Sequence, residues 1–180
     1  MNLPRNLLTA CALLLSATAG ARDWPPITPV AHVDLPRFMG NWYVIATIPT
    51  RFEKNAYDAL EVYTLKPNGD VATSFHFRSG SFDGEKKAIH STGIVTPGSG
   101  SAVWGVQVFW PLKAQYVVAY LKGDYSQVIV ARDARDYVWV MARTPAIAQA
   151  DYDALLARVG ALGYPLEKVR KVPQSVPARQ

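Results

Sequence analysis

Cysteine is almost absent from this sequence of 180 residues, in which Cys11 is the only one. A single thiol excludes a framework of internal disulfides and a metal site built from several cysteines. Histidine is also scarce, and His32, His76 and His90 have no close spacing that would suggest metal ligands. The sequence contains no Gly-X-Ser-X-Gly nucleophile motif either. We therefore predict a protein that is not an enzyme, with no catalytic residues, no metal and no cofactor.

Charge is also sparse, with 19 Lys and Arg against 14 Asp and Glu and a net charge of +5. The densest basic groups are Lys86-Lys87 and the segment 168–171, too small for a nucleic-acid-binding patch. The small surplus is compatible with peripheral contact with an anionic membrane surface. A 49% hydrophobic composition excludes a disordered chain, and the length predicts one domain.

Residues 1–21 have the pattern of a secretory signal peptide. The uncharged stretch within them, Asn6 to Ala21, has 16 residues and is shorter than the ~20 residues of a membrane-spanning helix. Arg5 supplies the positive charge, and residues 19–21 form a small-residue cleavage site. Cys11 lies in a sequence similar to a lipidation motif, but the strongest apolar stretch follows the cysteine instead of preceding it. We therefore predict that the segment is removed and that the exported chain keeps no cysteine. The proline-rich residues 22–33 predict an extended arm.

Eight short segments rich in Val, Ile, Thr and aromatic residues follow, separated by turn signals such as Asn68-Gly69. These predicted strands are 42–48, 59–65, 71–78, 87–95, 102–110, 116–121, 127–131 and 137–143. The spacing then changes to that of an amphipathic helix, with an apolar face of Tyr152, Leu155, Leu156, Val159 and Leu162. A short last strand is predicted at 166–169. The pattern predicts an all-β fold, an eight-stranded antiparallel up-and-down barrel with one C-terminal α-helix packed outside.

Three motifs of the sequence resemble those of the lipocalin family. Gly40-Asn41-Trp42-Tyr43, after a predicted helical turn at 34–39, is similar to the family's Gly-X-Trp-Tyr opening. Lys122-Gly123-Asp124-Tyr125 resembles the second motif, Thr-Asp-Tyr, with glycine in place of threonine. Residues 132–145 resemble the third motif, whose arginine is Arg143. Segments 48–53 and 142–145 are similar to bacterial lipocalins, a subgroup that includes outer-membrane lipoproteins.

The resemblance implies a lipocalin domain at 34–173, a polar tail at 174–180 and structural roles for the matching residues. In lipocalins the motif tryptophan plugs the closed end of the barrel and the motif arginine packs across it. Trp42 and Arg143 are therefore expected to make a cation–π contact, and Gly40 to let the backbone pass closely. Asp124 and Tyr125 are the matching residues of the second motif. The expected location is periplasmic and soluble, with association with the outer membrane as the alternative.

Side chains alternate between the two faces of a strand, so the aromatic-rich face of each strand is expected to point inward. Beside Trp42, this places Val44, Ala46, Ile48 and Met141 inside. The candidates for lining a ligand cavity are Glu61, Tyr63, Phe75, Phe77, Trp104, Val106, Val108, Tyr116, Val118, Tyr120 and Trp139. Glu61 shares a face with Tyr63, whereas the alternative register places Leu60, Val62 and Thr64 inside and Glu61 in water. The sequence leaves both registers open.

A mostly apolar cavity with a few tyrosine hydroxyls suits an acyl chain whose polar head lies near the open mouth. The resemblance therefore implies a lipid-binding protein that stores or transports a fatty acid or lysophospholipid in the bacterial cell envelope, for membrane maintenance. Two alternatives stay open, namely a module whose mouth loops bind a partner protein, and an enzyme of the lipocalin type. No nucleic-acid partner is predicted, and the sequence does not indicate an oligomeric state.

Overall fold

The computed structural model describes residues 24–51, 53–109 and 111–175. The predicted signal peptide at 1–21, which includes Cys11, lies outside the described residues. So do Trp110, at the end of the fifth predicted strand, and residues 176–180 of the predicted tail. No helix in the described ranges is long and apolar enough to cross a membrane.

Eight antiparallel strands form the barrel. Each strand pairs with the next along the chain, and β1 also pairs with β8. This closure confirms the predicted eight-stranded up-and-down barrel. The strands are β1 (Gly40–Ile48), β2 (Ala56–Leu65), β3 (Val71–Ser79), β4 (Lys86–Val95), β5 (Val103–Phe109), β6 (Leu112–Leu121), β7 (Gln127–Ala131) and β8 (Val138–Ala142).

The two ends of the barrel differ because α1 (Leu35–Phe38) lies before β1 and covers one of them. Asp34 caps this single helical turn by accepting a hydrogen bond from the Arg37 backbone N–H, at 3.4 Å. Phe38, the last residue of the turn, is fully buried. Since the strands alternate in direction, the loops 66–70, 96–102 and 122–126 lie at this closed end. The loops 49–55, 80–85 and 132–137 surround the open end.

The predicted helix is present as α2 (Gln149–Ala161), outside the barrel. Leu155 and Val159 are its buried residues, and they pack on an outer core that includes Val117, Ile129 and Val140. The chain leaves the helix through Gly163, whose φ of +92° is accessible to glycine at little cost.

The predicted last strand at 166–169 is wrong. Leu166–Lys168 forms a turn of 3-10 helix instead, because the N–H of Val169 bonds to the carbonyl of Leu166. The strand follows as β9 (Arg170–Lys171), which pairs with Thr47 and its neighbour on β1.

The residues from β9 onward form a C-terminal segment (170–175) that lies between β1 and β2 where these strands separate. β1 and β2 pair only from the start of β1 to Tyr43. Beyond that point the Gln174 side chain donates hydrogen bonds to the carbonyls of Val44 on β1, at 2.8 Å, and Ala59 on β2, at 2.9 Å. The C-terminal segment therefore completes the barrel wall between β1 and β2 on the side of the open end.

An irregularity in the pairing of β1 with β8 changes which side chains of β1 face inward. The β1–β8 register shifts between Val44 and Ala46, so Val44 lies in the inner core whereas Ala46 and Ile48 lie in the outer core under α2. The inward orientation predicted for Ala46 and Ile48 is therefore wrong, because a β-bulge inserts one unpaired residue and reverses the alternation beyond it. Met141 lies in the inner core.

Candidate ligand cavity

Trp42 closes the covered end of the barrel. Its side chain is fully buried, and its indole N–H donates to the carbonyl of Phe38 at 2.8 Å. The Arg143 guanidinium carbon lies 3.9 Å from the centroid of the Trp42 ring, which is the contact that the resemblance implies. The same guanidinium donates to the carbonyls of Asn41 at 2.8 Å and Arg37 at 2.7 Å. Arg143 thus joins α1, β1 and β8 at this end.

The second motif, residues 122–125, also contacts α1 and its capping residue. The Tyr125 hydroxyl accepts a hydrogen bond from the backbone N–H of Asp34 at 2.9 Å, and the Arg37 guanidinium lies 4.1 Å from the tyrosine ring. Asp124 accepts two hydrogen bonds from Ser126, which lower the pKa of its carboxyl. This aspartate holds the turn in which glycine replaces the family's threonine.

An aromatic layer above Trp42 forms the floor of the barrel interior. Trp104 and Tyr116 stack with their rings 4.5 Å apart and nearly parallel, and Phe38 meets Trp104 edge-on. The Tyr116 hydroxyl donates to the hydroxyl of Tyr63 at 3.0 Å. Burial raises the pKa of both tyrosines. The floor therefore presents a pair of neutral hydroxyls.

A cavity of about 470 Å³ lies above this floor and reaches the open end. This volume is within the ~300–1,000 Å³ range of small-molecule sites. Most of its wall is apolar. The described lining residues are Thr50, Arg51, Glu53, Glu61, Tyr63, Thr73, Phe75, Ile89, Ser91, Val106, Val108, Ala114, Gln115, Tyr116, Tyr137, Trp139 and Met141.

Seven of the eleven predicted cavity residues border this space, namely Glu61, Tyr63, Phe75, Val106, Val108, Tyr116 and Trp139. Phe77, Trp104 and Val118 point into the inner core without bordering the cavity. The inward orientation predicted for Tyr120 is wrong. The β6–β7 register shifts between Val118 and Tyr120, so Tyr120 packs on the outer core, where Arg158 lies 4.3 Å from its ring.

Glu61 occupies the inward register, next to Phe75 on β3 and Trp42 on β1. Its Oε2 atom is buried and has no hydrogen-bond partner among the described residues. Loss of hydration, with a smaller contribution from the negative charge of Glu53, raises the pKa of the Glu61 carboxyl to about 8. The carboxyl is therefore largely protonated at neutral pH.

Glu53 brings a second carboxyl to the cavity from the loop after β1. It accepts hydrogen bonds from the Thr50 hydroxyl at 3.0 Å and the Trp139 indole N–H at 3.1 Å. Burial raises its pKa by more than these hydrogen bonds lower it. Both oxygens of Glu53 thus have partners, in contrast to Oε2 of Glu61.

Several lining residues are absent from the sequence prediction. Thr73 and Ser91 hydrogen-bond to each other across β3 and β4. Thr73 is two residues from Phe75, so strict alternation along β3 would have included it. β4, which contributes Ile89 and Ser91, has no Phe, Tyr or Trp to mark its inward face. Glu53 and Tyr137 come from loops at the open end, where alternation gives no signal.

The cavity can bind an apolar molecule non-covalently, with hydrogen-bonding groups near the floor and on one wall. No group of three His, Cys, Asp or Glu in the described part of the chain has the arrangement of a metal site.

Residues 33–174 match the family model of the lipocalin-like domain. Temperature-induced lipocalin-1 of Arabidopsis thaliana is 30% identical over 156 residues, which cover 81% of this chain and 82% of that protein. The outer membrane lipoprotein Blc of Escherichia coli K12 is 27% identical over 167 residues, covering 90% and 92%. Insecticyanin from the tobacco hornworm Manduca sexta has the same fold, with a TM-score of 0.64, 16% identity and coverage of 86% and 88%. With its closed barrel, plugged end and matching motifs, the chain belongs to the lipocalin family, whose members generally bind or transport small hydrophobic molecules.

Proposed function

We propose that this lipocalin binds and carries a single-chain lipid, a fatty acid or a lysophospholipid, in the bacterial cell envelope. The observation that carries the proposal is the mostly apolar cavity of about 470 Å³ above the tyrosine floor. Phe75, Ile89, Val106 and Met141 provide a wall against which an alkyl chain can leave water. Binding without chemical conversion is the activity that this wall supports.

The expected affinity follows from the buried apolar surface. Burial of ~300 Å² of alkyl surface at ~25 cal/mol per Å² yields about 7 kcal/mol of favourable free energy. Loss of translational and chain freedom reduces that figure by several kcal/mol. We therefore expect dissociation constants of about 0.1–1 mM for single-chain lipids.

The cellular location belongs to the same proposal. The N-terminal sequence has the pattern of an export signal, and the related Blc protein is named an outer membrane lipoprotein. We place this chain in the periplasm after removal of residues 1–21, with outer-membrane attachment as the alternative. The intact mass of the exported protein decides between them. A chain that begins at Arg22 is lighter than one that begins at an acylated Cys11, because it lacks residues 11–21 and the attached lipid.

The open end has a surface suited to brief contact with a membrane. Val108 and Leu112 are 56% and 63% exposed on either side of the β5–β6 turn, and Lys113 follows them. Val108 also borders the cavity, so the exposed apolar surface continues into its mouth. We expect Leu112→Asp to weaken co-sedimentation with anionic vesicles several-fold while leaving lipid affinity in solution unchanged. Equal co-sedimentation of the variant and the parent would contradict this contact.

The central experiment measures displacement of a fluorescent lipid from the cavity. Val106→Trp places a large ring in the lining and is expected to weaken binding by more than about tenfold, since the cavity has little room beyond one chain. Ala88→Trp, on the exposed outer face of β4, is the matched control and should bind like the parent. A folded Val106→Trp variant with unchanged affinity would overturn the cavity as the binding site. Failure of every lipid to displace the probe would favour the protein-interaction module.

A further inference from the structure

The cavity contains a carboxyl group whose buried oxygen is not satisfied by the barrel itself. Glu61 Oε2 has no hydrogen-bond partner among the residues described, although the Tyr63 and Tyr116 hydroxyls lie on the floor of the same cavity. Those two hydroxyls are bonded to each other. Burying a polar atom without a partner is unfavourable, so a bound molecule that supplies a donor here would recover that cost.

The charge in the cavity shows which kind of donor fits. Glu61 and Glu53 both border it, and their mutual repulsion contributes to the raised pKa of Glu61. Arg51 is the only Lys or Arg among the described lining residues, and it lies exposed on the loop at the open end. A positive group near Glu61 would therefore relieve the repulsion between the two carboxyls, and a negative group would increase it.

We propose that the cavity accepts a single-chain amphiphile whose head is an ammonium group, with Glu61 as the ion-pair partner of that head. This inference rests on the proposed lipid-binding function and specifies the class of ligand. The head lies just above the tyrosine floor, because Glu61 is two residues from Tyr63 on β2 and faces the same side. The aromatic rings of Phe75 and Trp139 border the same space and favour a cation.

The same arrangement disfavours a fatty acid in that orientation. A carboxylate head at Glu61 would face two acidic side chains in a mostly apolar cavity. A fatty acid fits the cavity with its carboxylate at the open end, on the side of Arg51. A long-chain amine, a long-chain alcohol and a fatty acid of equal length should therefore differ in affinity because of their heads alone.

The amine's advantage should depend on pH. The titratable groups bordering the cavity with Glu61 are Glu53, Arg51, Tyr63, Tyr116 and Tyr137. The Glu61 carboxyl has a pKa of about 8, whereas an alkylammonium titrates near that of lysine, about 10. Between pH 6 and pH 8.5 Glu61 loses its proton while the amine keeps its charge, so amine affinity rises over this interval. Binding of the neutral alcohol should change little.

The test compares dodecylamine, dodecanol and dodecanoate as competitors of a neutral fluorescent lipid, each kept below its critical micelle concentration or its solubility limit. We expect the amine to bind at least about tenfold more tightly than the alcohol at pH 8.5, because an ion pair with its charge-assisted hydrogen bond replaces an unsatisfied oxygen. In Glu61→Gln the difference should fall to about twofold. Glu167→Gln, an exposed carboxylate outside the barrel, is the control and should behave like the parent.

The outcomes separate this inference from the proposed function. If the alcohol displaces the probe and the amine has no advantage, the ammonium site is wrong and lipid binding stands. An advantage that persists in Glu61→Gln, or that shows no rise between pH 6 and pH 8.5 in the parent protein, also overturns the site. If none of the three competitors displaces the probe, the lipid-binding proposal itself fails. The pH series uses the parent protein alone and does not depend on the folding of any variant.

Discussion

Replacing Glu61 with glutamine should stabilise the protein, and the gain should increase with pH. The carboxyl has a pKa of about 8 in the folded protein against an ordinary 4.5. Between these values the unfolded chain has lost a proton that the folded chain retains, so raising the pH favours unfolding. Glutamine preserves the shape of the side chain and removes the titration.

The size of the effect follows from the shift. Each pH unit between the two pKa values costs about 1.4 kcal/mol of unfolding free energy. From pH 5 to pH 7.5 the parent protein should therefore lose about 3 kcal/mol relative to Glu61→Gln. Above a pH of about 9 the Glu61 carboxyl is ionised in both states, and the difference should stop growing.

Urea unfolding of both proteins at pH 5, 6.5, 7.5 and 8.5 measures this difference directly. Other groups titrate in both proteins, so the pH dependence of the difference isolates Glu61 and its coupling to Glu53. Glu167→Gln serves as the control, with a difference from the parent that stays small across the series. A Glu61→Gln gain that is the same at pH 5 and pH 8.5 would refute the burial of this carboxyl.

Two further predictions concern the closed end. Arg143→Met should cost about 2–4 kcal/mol of unfolding free energy, because it removes a cation–π contact and hydrogen bonds to several backbone carbonyls, while the folded protein keeps its lipid affinity. Arg158→Met loses one exposed contact, with the ring of Tyr120, and should cost under about 1 kcal/mol. Equal losses in the two variants would contradict the role of Arg143 in joining α1, β1 and β8. Gly93→Ala should cost about 1–3 kcal/mol, since its Cβ would lie 2.9 Å from Trp104 Cε3. Gly123→Ala, whose Cβ meets nothing within 4 Å, is its control in the same urea assay.

The barrel could be predicted because its signals are local. Turn residues such as Asn68-Gly69 separate the strands, and each strand pairs with its sequence neighbour. The motif residues Trp42 and Arg143 lie far apart in sequence, but the family resemblance supplies the contact between them. Helical spacing likewise identifies Leu155 and Val159 as the face that α2 buries.

Strand irregularities could not be predicted from alternation. The register shifts after Val44 and Val118 depend on how neighbouring strands pair, and no residue type marks them. One extra residue reverses the inward or outward orientation of the side chains that follow it on the strand. Ala46, Ile48 and Tyr120 therefore lie on the outer face. Side-chain periodicity therefore predicts a cavity wall only as far as the first bulge.

The polar part of the cavity was harder to predict than its apolar wall. Leu60, Val62 and Thr64 form as plausible an inward face as Glu61 and Tyr63, so β2 alone did not decide between them. Pairing with β1 and β3 decides it, because Glu61 then lies beside Trp42 and Phe75, which point inward. Glu53 reaches the cavity through a loop, whose path depends on the whole fold.

The position of the C-terminal segment has a consequence for biosynthesis. Residues 170–175 are translated after all eight strands of the barrel, yet Gln174 bonds to both β1 and β2. While the ribosome is still adding these residues, the nascent barrel lacks part of its wall. The interior is therefore sealed only after every strand of the barrel has been made.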